Sequence, residues 1–271
     1  MHIEDNFITG IDPFWKKTQI GSGQVIRRQR ALWLTLLPSN GAGIPQTQPD
    51  KPAYSDAQIT DYDPQKRGFK LMPPLTLEVR AFSSHHPRQL VGTAGFGFWN
   101  HPYQPDQRGF RIPQALWFFF GAPPNRMPLA LDVPGDGFKA ATFDARRPAF
   151  FALLPLALPG FLLMRIPWLH RRLWPIGQRA LGVTEAALSS DLLTDTHTYT
   201  LDWHADGARF AVDGETVMET ATVPHGPLGF IAWMDNQYAV VTPQGQFGFG
   251  VSAVGPAQSL VLESIRLTSP D

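Results

Sequence analysis

The 271-residue chain contains no cysteine. That excludes a disulfide framework, a thiolate zinc site and a cysteine nucleophile. Charge is sparse: charged residues make up 17%, and 23 acidic residues balance 23 lysines and arginines. A neutral chain lacks the electrostatic footprint of a nucleic-acid binder. Familiar catalytic signatures are missing too. Gly21-Ser22-Gly23 lacks the spacing of a nucleophile elbow, and there is neither a Walker loop nor a Gly-x-Gly-x-x-Gly. The eight histidines include no His-x-x-x-His pair, and the adjacent His85 and His86 would point to opposite sides of a strand. No metal site and no cofactor are expected. The N-terminus has no basic region followed by an apolar one, so no secretory leader is read there. The expectation is a cytoplasmic chain, at most peripheral to a membrane.

What the chain has is turn chemistry and apolar residues. It carries 24 glycines and 26 prolines, and 43% of its residues are hydrophobic. This is not a disordered composition, and it argues against a helical bundle. Residues 38–74 form a long stretch rich in Pro, Gly, Gln and Asp, read as a loop. From Leu75 to Phe82 apolar and polar residues alternate, which predicts a half-buried strand. Further strands are expected at Phe7–Ile8, 24–28, 31–37, 92–99, 114–120, 129–133, 138–143, 197–204, 208–212 and 216–220. Four more close the chain at 226–233, 238–242, 247–254 and 259–268. Asp206-Gly207 and Asp213-Gly214 mark hairpin turns. The pattern implies an all-β fold of two stacked antiparallel sheets in a single domain, 1–271.

One segment departs from that pattern. Residues 146–188 read as helical, broken by Pro155, Pro159, Pro167 and Pro175. The apolar run Pro148–Met164 is just short of a membrane span. Flanked by Arg and Trp, it suits a lid over an apolar pocket, packing against the sheet or a dimer partner, or an interfacial anchor within 148–176.

The stretch His197-Thr-Tyr-Thr-Leu-Asp-Trp-His204, its turn, and Phe210-Ala-Val-Asp-Gly214 resemble the strand–turn–strand signature of family 16 glycoside hydrolases. Leu77–Ala81, Gly95–Trp99 and Ser259–Leu267 look like three other strands of that family. The resemblance implies a concanavalin A-like jelly-roll sandwich with one helical, apolar insertion. It also implies a catalytic strand bearing Glu-x-Asp-x-Glu or Glu-x-Asp-x-x-Glu. The corresponding stretch here is Gln114-Ala-Leu-Trp-Phe-Phe-Phe120, and no Asp or Glu occurs from Gln107 to Leu131. Retaining hydrolysis needs two carboxyl groups roughly 5 Å apart, so that machinery looks absent.

The candidates follow from this departure. Trp99, Trp117 and Phe119 would line an apolar cleft, with Asn100, Trp233, Asn236 and Tyr238 at its polar end. Asp235, Glu78 and His101 are the candidate acids or bases. Against each stands a plainer reading: aromatic runs are often core, Asp-Asn suits a turn, and Glu78 with Arg80 suits a solvated face. The expected ligand is a hydrophobic small molecule such as a lipid or isoprenoid. The alternatives are a glycan stacked on the tryptophans and a membrane-surface module anchored by 148–176.

Overall fold

The computed structural model describes residues 1–39, 52–62, 68–100 and 111–270. Among these residues, seventeen strands alternate with short connections. They are β1 (His2–Asp5), β2 (Lys16–Ile20), β3 (Gly23–Arg28), β4 (Ala31–Leu36), β5 (Asp56–Thr60) and β6 (Leu75–Ser83), then β7 (Thr93–Trp99), β8 (Gln114–Gly121), β9 (Gly137–Asp144) and β10 (Thr184–Leu188). The last seven are β11 (His197–Trp203), β12 (Ala208–Val212), β13 (Glu215–Thr220), β14 (Gly229–Asp235), β15 (Gln237–Val241), β16 (Phe247–Val251) and β17 (Gln258–Thr268).

Two large antiparallel sheets form a sandwich. The first runs β13-β12-β11-β6-β17-β4-β3, with β1 beside β17, and the second β10-β9-β8-β7-β14-β5-β2. β15 and β16 make a separate hairpin. Period-two alternation sends one face of each sheet into the shared core. Val79, Tyr199, Trp203 and Phe210 come from the first sheet, and Phe96, Phe98, Phe118 and Phe230 from the second, all buried. The rings interlock across the layers: Phe96–Tyr199 centroids lie 5.1 Å apart, Phe98–Trp203 5.3 Å and Phe118–Phe210 5.4 Å. The Asp213-Gly214 turn has positive φ at both residues, +50° and +84°, as a type I′ hairpin requires.

Several expected strands are corrected. Phe7 has φ +56° and donates its amide to Asp5 Oδ1, so the chain turns there, and the strand lies earlier, at β1. Leu129–Val133 is irregular because its backbone groups bond to side chains: Trp174 to Leu129 O, Glu185 to Ala130 N, Gln178 to Leu131 N. Within the supposed loop 38–74, Asp56–Thr60 is a strand paired with β14 on one side and β2 on the other.

Between β9 and β10 lie α1 (Pro148–Leu153), a 3-10 turn (Leu154–Leu156), α2 (Ala157–Leu163) and α3 (Pro167–Ala180). Pro148 and Pro167 sit at helix starts, where the missing N–H costs nothing. The helices end sooner than the sequence suggests: Thr184–Leu188 is β10, paired in register with β9. No helix among the described residues is long and apolar enough to cross a membrane.

Candidate functional site

The alternation that builds the core also decides what the second sheet presents outward. On β8, Leu116, Phe118 and Phe120 enter the core, so Ala115, Trp117 and Phe119 face out. On β7 the outward residues are Thr93, Gly95, Gly97 and Trp99, and on β14 they include Ile231, Trp233 and Asp235. Phe119, Ile231 and Trp233 form a second apolar cluster, against which Trp99, Trp117 and Met127 pack. Trp117 stands at the centre. Its ring lies 5.7 Å from Trp99, 5.6 Å from Phe119, 5.7 Å from Phe143 and 5.2 Å from Trp233, centroid to centroid. Tilted and edge contacts of this kind suit aromatic quadrupoles.

The two glycines of β7 make room for this layer. A Cβ on Gly95 would stand 2.3 Å from Phe118 O and 2.7 Å from Trp233 Cη2, and one on Gly97 2.7 Å from Trp117 Cβ. The indoles therefore lie down over bare backbone. Phe119 and Trp233 are buried, whereas Trp99, Trp117 and Phe143 are half-buried. Two surface hollows, of ≈ 450 and ≈ 340 Å³, lie away from these rings.

Asp235 closes one end of the face. Its Oδ1 accepts from Thr93 N (3.2 Å), Thr93 Oγ1 (2.8 Å) and Gln237 N (3.1 Å), and Trp233 Nε1 donates to Thr93 Oγ1 (2.9 Å). Burial pushes its carboxyl up to about 7 against the pull of those donors. Directly across the β5–β14 ladder stands Asp56. Asp56 is buried, its Oδ1 has no hydrogen-bond partner, and burial with the neighbouring Asp235 charge raises it well above the carboxylate range. No local pattern in the sequence signals Asp56, because the register that places it beside Asp235 is long-range.

The remaining candidates separate. Asn236 is fully buried: Oδ1 accepts from Ser55 N, and Nδ2 donates to Ala53 O and Ser252 O. Asn100 holds Ile112 O and Gln114 N, tying β7 to the start of β8. Both serve the backbone. Tyr238 sits on β15, where its ring crowds Gly250. Glu78 lies on the outer face of the first sheet, on the far side of the sandwich, bonded to Arg266 at 3.0 Å. It is not brought to Asp235. His101 falls outside the described residues. Phe143 and Asp56 join the face unannounced. Among the described residues no cluster of three metal-ligating side chains exists.

A buried ion pair flanks the rings. Lys139 Nζ donates to Glu185 Oε1 (3.1 Å), Met127 O (3.3 Å) and Pro134 O (3.0 Å), and both side chains are 2% exposed. Glu185 Oε2 accepts from Ala130 N at 2.8 Å. The pair pins the 122–136 segment against β9 and β10.

No family model matches the sequence, and no curated relative matches it. Solved structures do. A lichenase derived from a mouse hindgut metagenome is 12% identical over 98% of both chains, with a TM-score of 0.53. The Bacillus licheniformis β-glucanase is 13% identical over 99% of this chain and 98% of its own, at 0.51. The carbohydrate recognition domain of Emp47p is 13% identical over 100% and 95%, also at 0.51. The fold is that of the family 16 hydrolases and related jelly-roll sandwiches. At such identity the likeness is one of fold, and hydrolase and recognition domain alike carry it.

Proposed function

We propose that this protein binds an apolar small molecule, of lipid or isoprenoid type, on the aromatic outer face of its second sheet, and that it does not cleave glycosidic bonds. The observation that carries the reading is the set of outward positions on three adjacent central strands. They hold Gly95, Gly97, Trp99, Ala115, Trp117, Phe119, Ile231 and Trp233, with Thr93 and Asp235 as the polar exceptions at one end. Sugar recognition needs donors and acceptors among its stacking rings, and retaining hydrolysis needs two carboxyl groups open to the scissile bond, whereas the pair on this face, Asp235 and Asp56, is buried at its end. Here the Trp233 N–H is already committed to Thr93. A bound molecule would lie along Trp99, Trp117 and Phe143, with Thr93, Asp235 and Asp56 at its polar end. Asp235 would be the acid or base of any chemistry, since it stands at the end of the ring face beside Asp56 and burial pushes its carboxyl up to about 7. The flat, electron-rich rings could also steady a passing cation.

The fold likeness to glucanases and to a carbohydrate recognition domain favours a second reading, a glycan stacked on Trp99 and Trp117. One titration separates them. Fluorescent long-chain fatty acid and farnesyl probes are titrated into the protein and into Trp117→Ala, beside affinity electrophoresis on mixed-linkage β-glucan. Saturable probe binding, weakened at least ~10-fold in Trp117→Ala, supports the apolar reading. Retardation by glucan without probe binding overturns it in favour of the glycan.

A further inference from the structure

We infer that the helical insertion and the β15–β16 hairpin together form a docking surface for an anionic lipid bilayer. From Pro148 to Leu163 every residue is apolar or glycine, and none is buried. Phe151, Leu154, Leu156, Leu162 and Leu163 are exposed, and Leu158 is 72% exposed. Contiguous apolar exposure on this scale is unusual for a surface facing water.

The hairpin extends the patch. Phe161 of α2 meets Phe247 at 5.7 Å, and a Cβ on Gly245 would touch the same Phe161 ring. Phe247 and Phe249, the latter 68% exposed, continue the patch beyond the helices. Helices and hairpin are held to one support, the 122–136 segment. Trp174 Nε1 donates to Leu129 O (2.8 Å), Gln178 accepts from Leu131 N (3.3 Å), and Arg126 and the hairpin exchange backbone bonds at 2.9 Å. The apolar residues are thus presented by a braced platform.

Charge identifies the occupant. The chain as a whole is neutral, yet between Asp144 and Glu185 there is no acidic residue and there are six arginines, Arg146, Arg147, Arg165, Arg171, Arg172 and Arg179, of which Arg171 meets the exposed Asp132 at 3.4 Å. Exposed Trp168 lies beneath Arg172, whose guanidinium carbon is 5.6 Å from the ring centre. An apolar surface rimmed by arginine and tryptophan matches a bilayer interface, with leucine and phenylalanine in the acyl boundary and guanidinium groups among phosphates. A second copy of this surface would instead bring like charges together. The inference does not depend on what the aromatic face of the second sheet binds.

Flotation with phosphatidylcholine vesicles, with and without phosphatidylglycerol, tests it. The wild type should float with the anionic vesicles at least ~10-fold better than with neutral ones, and high salt should remove most of that advantage. Leu158→Glu/Leu162→Glu and Phe247→Ser/Phe249→Ser should each lose binding to both vesicle types while melting at the wild-type temperature, since all four side chains are exposed. Arg171→Glu/Arg172→Glu should lose only the preference for anionic lipid. A wild type that floats with neither vesicle overturns the inference. So does a wild-type dimer that Leu158→Glu/Leu162→Glu turns into a monomer while flotation is absent.

Discussion

The two outer faces of the sandwich are built by the same rule and look nothing alike. On the first sheet, the outward positions are charged and matched across the strands. Arg266 bonds Glu78 on one neighbour and Glu4 on the other, at 3.0 and 3.2 Å. Asp202 takes Thr76 and Arg209, and Arg80 meets Glu263. Cross-strand pairs of this kind are how a sheet faces water. On the second sheet, the same positions hold a cluster of indole and phenyl rings over bare glycine, and the ion pair beside them, Lys139–Glu185, is buried. Alternation tells which residues leave the core. It does not tell what they meet, and the chemistry at those positions does.

By this contrast, removing a charge should matter little on one face and destabilise strongly on the other. The largest effect is expected at Glu185→Ala. It leaves the Lys139 ammonium buried beside two carbonyls and frees the amide of Ala130. Breaking one partner of a buried pair costs about 3–5 kcal/mol. Urea melts should show that loss, and also release of the 122–136 segment as faster amide exchange there. A loss below ~1 kcal/mol would mean that water reaches this pair as it does those of the first sheet.

The next effect has the opposite sign. Asp235 rises from 3.8 to about 7 through burial. The native state therefore keeps a proton that the unfolded chain releases in mild acid. The contribution of Asp235 to stability should be greatest at acid pH, fall as pH climbs from about 4 towards 7, and level off above. Asp56, raised by the same burial, and Asp61, raised to about 7, add to the slope with the same sign. In Asp235→Asn the side-chain amide oxygen could still accept from Thr93 and Gln237 without carrying charge. That variant should be more stable than wild type at pH 8, by on the order of 2–4 kcal/mol. Melting temperatures across pH 4–8 check both statements. A variant that is less stable at pH 8 would show the carboxylate to be charged and satisfied in place.

Much of this architecture is legible in the amino-acid sequence. The hairpin at His197–Gly214 fixes its own geometry through a local turn, and its alternating residues name the core face. Period two alone places Trp117 and Phe119 on a common strand face, although it does not say which face is the core. What the sequence leaves out is long-range. β5 hides in a stretch without periodicity because its partners, β2 and β14, lie far along the chain, so Asp56 cannot be set beside Asp235 by local pattern. Glu78 looks available to a cleft until its strand is assigned to a sheet. The exposed Phe247 and Phe249 read as an ordinary strand, and only the fold brings them to Phe161.

The smallest effect sharpens the contrast most cheaply. Glu263 and Arg80 are joined at 3.2 Å with side chains 37% and 51% exposed. Water screens such a pair and competes for both partners, and ordering two long side chains costs entropy. Glu263→Gln keeps the size of the side chain and its capacity to accept from Thr196 Oγ1, which now bonds Oε1 at 3.1 Å. Stability should fall by no more than ~0–1 kcal/mol, and the difference should vanish in high salt. Measured in the same urea series as Glu185→Ala, the ratio of the two losses compares how far each face is removed from water. Equal losses would place both faces in one environment, and the aromatic layer would then need no ligand to explain it.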